Sequence, residues 1–167
     1  MIFLLIGPKG SGKSFIGTLF NKYYDIEFLR VENWLLGIKK ERSLNNPEYI
    51  RESFQIIEEG VRKSLNKSDK LVFESTGLSS SFDSMLKSLR HDYKVVTIRI
   101  NTDLEICLQR IKSRDQSIHI NVSDDQVEEI NTAITLKNLK TEFTINNNNK
   151  TVIELKRDIY KILKYTS

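Results

Sequence analysis

The sequence predicts a three-layer α/β/α fold built on a five-stranded, mostly parallel sheet, within one domain that spans residues 1–167. Two observations support this prediction. Short apolar runs rich in β-branched and aromatic residues alternate along the chain with longer stretches whose apolar residues recur at helical spacing. No linker or internal repeat divides the 167 residues, a length typical of one domain. Such alternation is typical of parallel sheets that carry helices on both faces.

The first part of the chain contains two predicted strands and three predicted helices. The opening run IFLLI is a short apolar strand, and a helix with one apolar side follows a glycine-rich turn. Further on, Ile50, Phe54, Ile57, Val61 and Leu65 recur three or four positions apart, which indicates a long amphipathic helix. In chain order we expect a strand over 2–6, a helix over 15–22, a strand over 25–31, and helices over 34–40 and 48–65.

The remainder continues the alternation and ends in an amphipathic helix. A serine cluster at 79–81 can cap one helix, and the polar residues 101–103 can cap the next. A polar segment over 115–122 has no strong apolar pattern, and we interpret it as part of a small lid covering about 110–125. In order we expect a strand over 70–73, a helix over 79–89, a strand over 94–100, helices over 104–114 and 123–139, a strand over 142–145 and a helix over 152–165.

The segment between the first strand and the first helix, Gly7–Ser14, reads GPKGSGKS and matches the phosphate-binding pattern G-x-x-x-x-G-K-[ST]. A chain of this length matches by chance in roughly 1% of cases. The glycines allow a tight turn whose N–H groups point at phosphate oxygens, assisted by the helix N-terminus. Lys13 would reach the β- and γ-phosphates and Ser14 would offer its hydroxyl to Mg²⁺. The context therefore predicts a P-loop NTPase fold that binds a nucleotide, with these contacting residues: Gly7, Lys9, Gly10, Ser11, Gly12, Lys13, Ser14 and Phe15.

Two arginines, Arg110 and Arg114, lie four residues apart and would share one face of a helix. They stand immediately before the predicted lid. Phosphoryl transfer spreads negative charge over the transferred group, and arginines delivered on closure can neutralise it. We therefore expect a catalytic role for both, the alternative being an exposed helix end where cations are favourable in any case.

Two carboxylates follow apolar strands that would end at the same edge of the sheet. Glu74 ends the strand expected beside the phosphate-loop strand, where it can hold a magnesium-bound water or orient substrate, with Thr76 and Gly77 in the same cleft. Glu32 ends the second strand and could accept the proton of a substrate hydroxyl or help bind Mg²⁺. We expect both to be catalytic, and Ser14 with Glu74 to be the metal ligands.

With these residues, nearly the whole chain resembles the small P-loop kinases. These include shikimate, gluconate and nucleoside-monophosphate kinases and the AAA-type group with polynucleotide 5′-kinases and zeta-toxin-like proteins. Gly7–Ser14 resembles their ATP-phosphate loop, VFESTG at 72–77 their acidic third-strand segment, and 110–114 the arginine-bearing start of their lid. Residues 146–150 fall where these enzymes hold adenine, so the resemblance implies a role for Asn149 in nucleotide binding. It also implies ATP- and Mg²⁺-dependent transfer of the γ-phosphate to a small molecule or nucleotide.

The resemblance has two departures that concern the acceptor. Shikimate kinases carry Asp-x-Asp at the end of the second strand, where this chain has Arg30-Val31-Glu32. Their glycine-rich segment after the third strand is replaced by Ser-Thr-Gly-Leu at 75–78. These departures argue against shikimate as the acceptor, and the sequence leaves its identity open.

Two alternative functions remain open from the sequence. A GTPase or ATPase switch is suggested because Glu74–Gly77 partly matches D-x-x-G and Asn149-Lys150 partly matches N-K-x-D, although Val152 stands where the guanine-binding Asp is required. A nucleic-acid 5′-end kinase would need basic and aromatic residues along a groove, for which Tyr23-Tyr24 and 39–42 are weak candidates.

The composition excludes several other classes of protein. The net charge of +4, from 26 basic and 22 acidic residues, permits nucleic acid as a partner without favouring it. No apolar run is long enough to cross a bilayer, and we expect no membrane partner. The single cysteine, Cys107, fits a structural role in a reducing cytoplasm, and one Cys with His91 and His119 makes a zinc site unexpected. The sequence gives no indication of oligomeric state.

Overall fold

The structure is a computed structural model that describes residues 1–39, 46–113 and 123–166. Within these ranges the chain forms one sheet of five strands and seven helices. The strands are β1 (Ile2–Ile6), β2 (Glu27–Leu29), β3 (Leu71–Ser75), β4 (Val95–Asn101) and β5 (Phe143–Asn146). The helices are α1 (Lys13–Tyr24), α2 (Val31–Lys39), α3 (Pro47–Leu65), α4 (Ser80–Asp92), α5 (Leu104–Ser113), α6 (Asp124–Lys137) and α7 (Val152–Thr166).

The five strands lie in the order β2-β3-β1-β4-β5, and every pairing is parallel. β1 is therefore the central strand, with Ile6 in register with Ser75 of β3 and with Arg99 of β4. Because all strands run the same way, their carboxyl ends share one edge, where ligands of such sheets bind. The predicted three-layer α/β/α fold with a five-stranded sheet is confirmed.

Helices cover both faces of the sheet, which explains why the first strand is apolar throughout. Phe3 and Leu5 of β1 belong to a core shared with α1 and α7, whereas Ile2, Leu4 and Ile6 belong to a core shared with α3 and α4. All five side chains are buried. A strand buried on both faces loses the apolar–polar alternation of a half-exposed strand.

The predicted limits of the second strand were wrong. β2 ends at Leu29, and Glu32 lies in the first turn of α2 rather than at a strand end. β2 pairs only with β3, whereas Val31, Trp34 and Leu35 pack into the core on the α3 side at helical spacing. Burial of this helical stripe overrides the β propensity of the run.

Two further differences concern Glu74 and the lid. β3 continues to Ser75, so Glu74 lies inside the strand instead of following it. Of the predicted lid, residues 110–113 belong to α5 and 124–125 begin α6, whereas 114–122, including Arg114, lie outside the described residues. Among the helices of the described ranges, none is long and apolar enough to cross a membrane.

Candidate active site

The phosphate-binding loop, residues 7–14, leaves the central strand and runs directly into α1. Gly10 and Gly12 have φ angles of 82° and 91°, which glycine adopts without strain and other residues rarely do. A Cβ atom at Gly10 would lie 2.3 Å from the carbonyl oxygen of Cys107 in α5. The loop is thus pressed against α5, and glycine is required there for conformation and for space.

Lys13 is the first residue of α1 and only 8% of it is exposed. Its Nζ donates to the carbonyl oxygens of Gly7, at 2.9 Å, and Pro8, at 2.8 Å. Burial lowers the pKa of the Lys13 ammonium from its ordinary value, and the Glu74 carboxylate partly opposes the shift. A desolvated ammonium folded over the loop can exchange its carbonyl partners for phosphate oxygens with a short side-chain movement.

Ser14, in the first turn of α1, meets Glu74 of β3. The Ser14 hydroxyl donates to Oε1 of Glu74 at 2.6 Å, and the parallel register of β3 beside β1 sets Glu74 opposite Leu5. Mg²⁺ prefers oxygen ligands, keeps several waters and is usually held by one or two carboxylates together with substrate phosphates. The donor set of this pair fits Mg²⁺, and no group of three or more His, Cys, Asp or Glu suited to a metal occurs in the part of the chain that the structure describes.

A cavity of about 400 Å³ opens beside this pair. Its polar end is formed by the phosphate-binding loop and Glu74, and its other end is apolar. Nine predicted residues line it together: Lys9, Gly10, Gly12, Lys13, Ser14, Phe15, Glu32, Glu74 and Arg110. Thr76, expected in the same cleft as Glu74, also lines the cavity, and the remaining lining residues are Val31, Leu35, Phe54, Ile57 and Ser75.

Four predicted residues of the described ranges do not line this cavity. Gly77, expected in the same cleft as Glu74, is absent from its lining. Gly7 does not line this cavity, because it packs at the end of β1 against the carbonyl of Ile100. Ser11 is fully buried, and its hydroxyl has no hydrogen-bond partner within the described ranges. Asn149 is exposed and is absent from the cavity lining.

Arg110 is fixed by backbone carbonyl groups at the rim of the cavity. Its guanidinium donates to the carbonyls of Asn147, at 2.9 Å, and Asn148, at 2.8 Å, and reaches that of Ser11 at 3.5 Å. The side chain therefore ties α5 to the loop after β5 and to the phosphate-binding loop. Its positive charge is held in place beside Gly12, without needing a closing movement.

Sequence reasoning missed two asparagines that brace the phosphate-binding loop. Asn147 donates from Nδ2 to the Ser11 carbonyl at 2.8 Å, and that carbonyl also accepts a hydrogen bond from Thr102. Asn131 of α6 bonds to both backbone groups of Lys9. No local signal identifies them, since Asn147 lies in a run of four asparagines and Asn131 inside an ordinary helix.

A second cavity, of about 320 Å³, lies between the end of β4, the start of the phosphate-binding loop and α6. Gly7 and Pro8 contribute to its wall, as do Arg99 and Lys137. Thr76 lines both cavities, so the segment after β3 separates them.

The aromatic residues weighed for nucleic-acid binding lie far from this site. Tyr23 and Tyr24 are at the opposite end of α1 from the phosphate-binding loop, about 16 Å along the helix. The Tyr24 hydroxyl donates to the carbonyl of Lys156, and Lys156 also lies over the Tyr23 ring. Of the basic candidates at 39–42, residues 40–42 lie outside the described residues.

Comparison with known proteins identifies the family. Residues 2–136 match the AAA domain family, and the chain belongs to it. Its fold is that of the small P-loop kinases. No curated protein matches the chain by sequence.

Several solved structures share this fold. A shikimate kinase from Acinetobacter baumannii, solved with shikimate, is 15% identical with a TM-score of 0.69, covering 99% of this chain and 94% of that one. A putative kinase from Chloroflexus aurantiacus is 13% identical with a TM-score of 0.71, covering 98% and 96%. A deoxyadenosine kinase from M. mycoides with bound dATP is 14% identical with a TM-score of 0.62, covering 98% and 100%. At these identities the likeness shows the fold alone.

Proposed function

We propose that this protein is an ATP- and Mg²⁺-dependent phosphotransferase that moves the γ-phosphate of ATP to a small-molecule or nucleotide acceptor. One observation carries the proposal: a phosphate-binding loop, a Ser–Glu pair suited to Mg²⁺, a second carboxylate, Glu32, and four apolar side chains line one cavity. A nucleotide switch needs the first two features. An acceptor requires further surface and a base, which the apolar side chains and Glu32 can supply.

Four residues of the cavity, Lys13, Ser14, Glu74 and Arg110, have roles in binding ATP and Mg²⁺ in this proposal. Lys13 leaves the carbonyls of Gly7 and Pro8 to bind the β- and γ-phosphates, and backbone N–H groups of the loop hold the remaining oxygens. Ser14 and Glu74 would hold Mg²⁺, which would neutralise charge on the phosphates. Arg110 adds fixed positive charge near the group in transfer.

Glu32 is the proposed base for the acceptor hydroxyl. It lines the cavity from the first turn of α2, and its charge, like that of Glu74, raises the pKa of Lys13, so both carboxylates act on the same centre. In the reaction the acceptor oxygen forms a bond to the γ-phosphorus, the bond from that phosphorus to the β–γ bridging oxygen breaks, and the hydroxyl proton passes to Glu32. ADP leaves with the electron pair of the broken bond, and Mg²⁺ held by Ser14 and Glu74 would stabilise its negative charge.

The apolar end of the cavity supports an acceptor with an apolar portion. Val31 and Leu35 of α2, with Phe54 and Ile57 of α3, form the apolar part of the lining and pack in one core. Contact with an apolar portion of a ligand removes apolar surface from water, which favours binding. Among candidate acceptors, nucleosides and aromatic alcohols fit this wall better than sugar acids.

The test is ATP-to-ADP conversion with Mg²⁺ in the presence of single acceptors. The panel holds nucleosides, aromatic alcohols, sugar acids, shikimate, nucleoside monophosphates and 5′-hydroxyl oligonucleotides. We expect at least one acceptor to stimulate turnover, with Lys13→Ala abolishing the stimulation. Lys161→Ala, which removes an exposed lysine of α7, is the matched control and should behave as wild type.

The outcomes separate the alternatives. Stimulation by oligonucleotides alone would favour a nucleic-acid 5′-end kinase. Tight nucleotide binding with slow turnover that no acceptor changes would contradict the proposal and favour a switch, and GTP would then be compared with ATP. Against GTP, the guanine-type segment has Asn149 exposed and Lys150 paired with Asp158.

A further inference from the structure

The helix α6 touches the phosphate-binding loop through a pair of hydrogen bonds from one side chain. The N–H of Lys9 donates to Oδ1 of Asn131 at 2.8 Å, and Nδ2 of Asn131 donates to the carbonyl oxygen of Lys9 at 3.2 Å. Asn131 is 2% exposed, and 122 residues separate the partners along the chain. The side-chain amide therefore satisfies both backbone groups of one loop residue.

These hydrogen bonds fix the backbone of the phosphate-binding loop immediately before the residue at which the loop turns. Lys9 precedes Gly10, whose positive φ turns the loop and whose Cα faces the Cys107 carbonyl. With α5 against Gly10 and α6 bonded to Lys9, adjacent residues are held from two helices. When the loop is already ordered, the free-energy cost of ordering it on phosphate binding is smaller, so the affinity is higher.

The same helix has a second anchor, on the segment that follows β3. Nζ of Lys137 donates to the carbonyl of Gly77 at 2.9 Å and to Asp83 at 2.8 Å. Asn131 and Lys137 are about 9 Å apart along the helix. α6 therefore connects the phosphate-binding loop with the segment immediately beyond the strand that carries Glu74.

We propose that Asn131 is a positioning residue for nucleotide binding. It holds the Lys9 backbone so that the phosphate-binding loop is preorganised, and it couples the stability of α6 to occupancy of the loop. This inference rests on the proposed binding of ATP by the loop. Asparagine suits the role because its amide carries an acceptor oxygen beside an NH₂ donor group, so it can pair with both the N–H and the carbonyl of one residue.

The first experiment measures the dissociation constant of a non-hydrolysable ATP analogue with Mg²⁺, by titration calorimetry at a temperature well below unfolding. Asn131→Leu should raise the constant about tenfold, equivalent to about 1.4 kcal/mol. Asn131→Asp should raise it further, because a carboxylate cannot donate to the Lys9 carbonyl and adds negative charge near the phosphates. Thr132→Ala, an exposed neighbour on α6, is the control and should bind as wild type.

A purely structural role predicts a different pattern. It would lower the melting temperature of the Asn131 variants while their dissociation constants stay within about twofold of wild type at low temperature. That result would overturn the inference. If the wild-type protein does not bind the ATP analogue at all, the proposed function is refuted instead. The failure of this inference and the failure of the proposed function are therefore distinguishable.

The second experiment uses only the wild type and stays decisive where a variant does not fold. Coupling between two sites is reciprocal, so the bound analogue must stabilise α6 if Asn131 links α6 to the loop. We expect slower amide hydrogen exchange across 127–137 when the analogue and Mg²⁺ are added. Unchanged exchange there, with the loop itself protected, would contradict the coupling.

Discussion

Replacing Gly10 by alanine tests how closely the phosphate-binding loop is held against α5. Alanine at a φ of 82° costs about 1–2 kcal/mol of backbone strain. Its Cβ would lie 2.3 Å from the Cys107 carbonyl oxygen, well inside the 3.0 Å that real Cβ contacts respect, and the obstacle is backbone rather than a movable side chain. Overpacking of this kind costs a further 1–3 kcal/mol or so. We expect a total loss of about 3 kcal/mol in the free energy of unfolding.

The assay is thermal unfolding followed by circular dichroism, without nucleotide. A loss of about 3 kcal/mol lowers the melting temperature of a domain of this size by about 6–12 °C. Gly37→Ala is the matched control. Gly37 lies in α2, and within the described ranges no atom beyond its own stretch of helix lies within 4 Å of a new Cβ, so alanine should stabilise the helix by about 1 kcal/mol.

The same Gly10 variant should also bind the ATP analogue more weakly, because any shift that relieves the contact displaces the loop from α5. A melting temperature within about 2 °C of wild type, together with unchanged nucleotide affinity, would show that the loop is not pressed against α5 as described.

Three further predictions concern turnover and pH. Lys13→Ala should reduce ATP turnover by about 100-fold or more while the variant stays folded, measured as ADP release beside a melting curve; unchanged turnover would remove Lys13 from the mechanism. Arg110→Ala should lower turnover more than ATP affinity, and steady-state kinetics that show a loss of affinity alone would make Arg110 a binding residue. For Glu142, burial opposes ionisation, but hydrogen bonds from the Thr97 hydroxyl and N–H outweigh it and hold the pKa below its ordinary value of 4.5. A carboxyl group with a lowered pKa stabilises the fold above its ordinary pKa, and this stabilisation is lost as the pH falls through the folded-state pKa. Glu142→Gln should therefore flatten the acid side of the curve of unfolding free energy against pH. An unaltered curve would contradict this role of Glu142.

Much of the fold followed from local patterns. The first strand has the predicted limits, and the long third helix begins one residue before its predicted start, at Pro47, because Asn46 caps it. The side chain of Asn46 accepts from the N–H of Tyr49, a local signal that sequence contains. Periodicity, caps and the glycine pattern act within a few residues, so they are readable without a structure.

The limits of α2 show where such patterns fail. The residues from 25 to 31 favour a strand by composition, yet only 27–29 pair with β3. Packing against α3 favours a helix here, because the side chains of Val31, Trp34 and Leu35 pack in the core that α3 shares. Glu32 enters the cavity because of that packing, and no property of its immediate neighbours specifies it.

The sequence alone determined the phosphate-binding loop, the parallel sheet and the placement of Glu74 beside it, since each depends on contacts between chain neighbours or on the rule that parallel strands end together. Only the tertiary structure decided what braces the loop. Asn131 reaches Lys9 across 122 residues, and Asn147 reaches Ser11 across 136. A hydrogen bond between residues so far apart leaves no mark in the local sequence, because its partner is chosen by the packing of whole helices and strands.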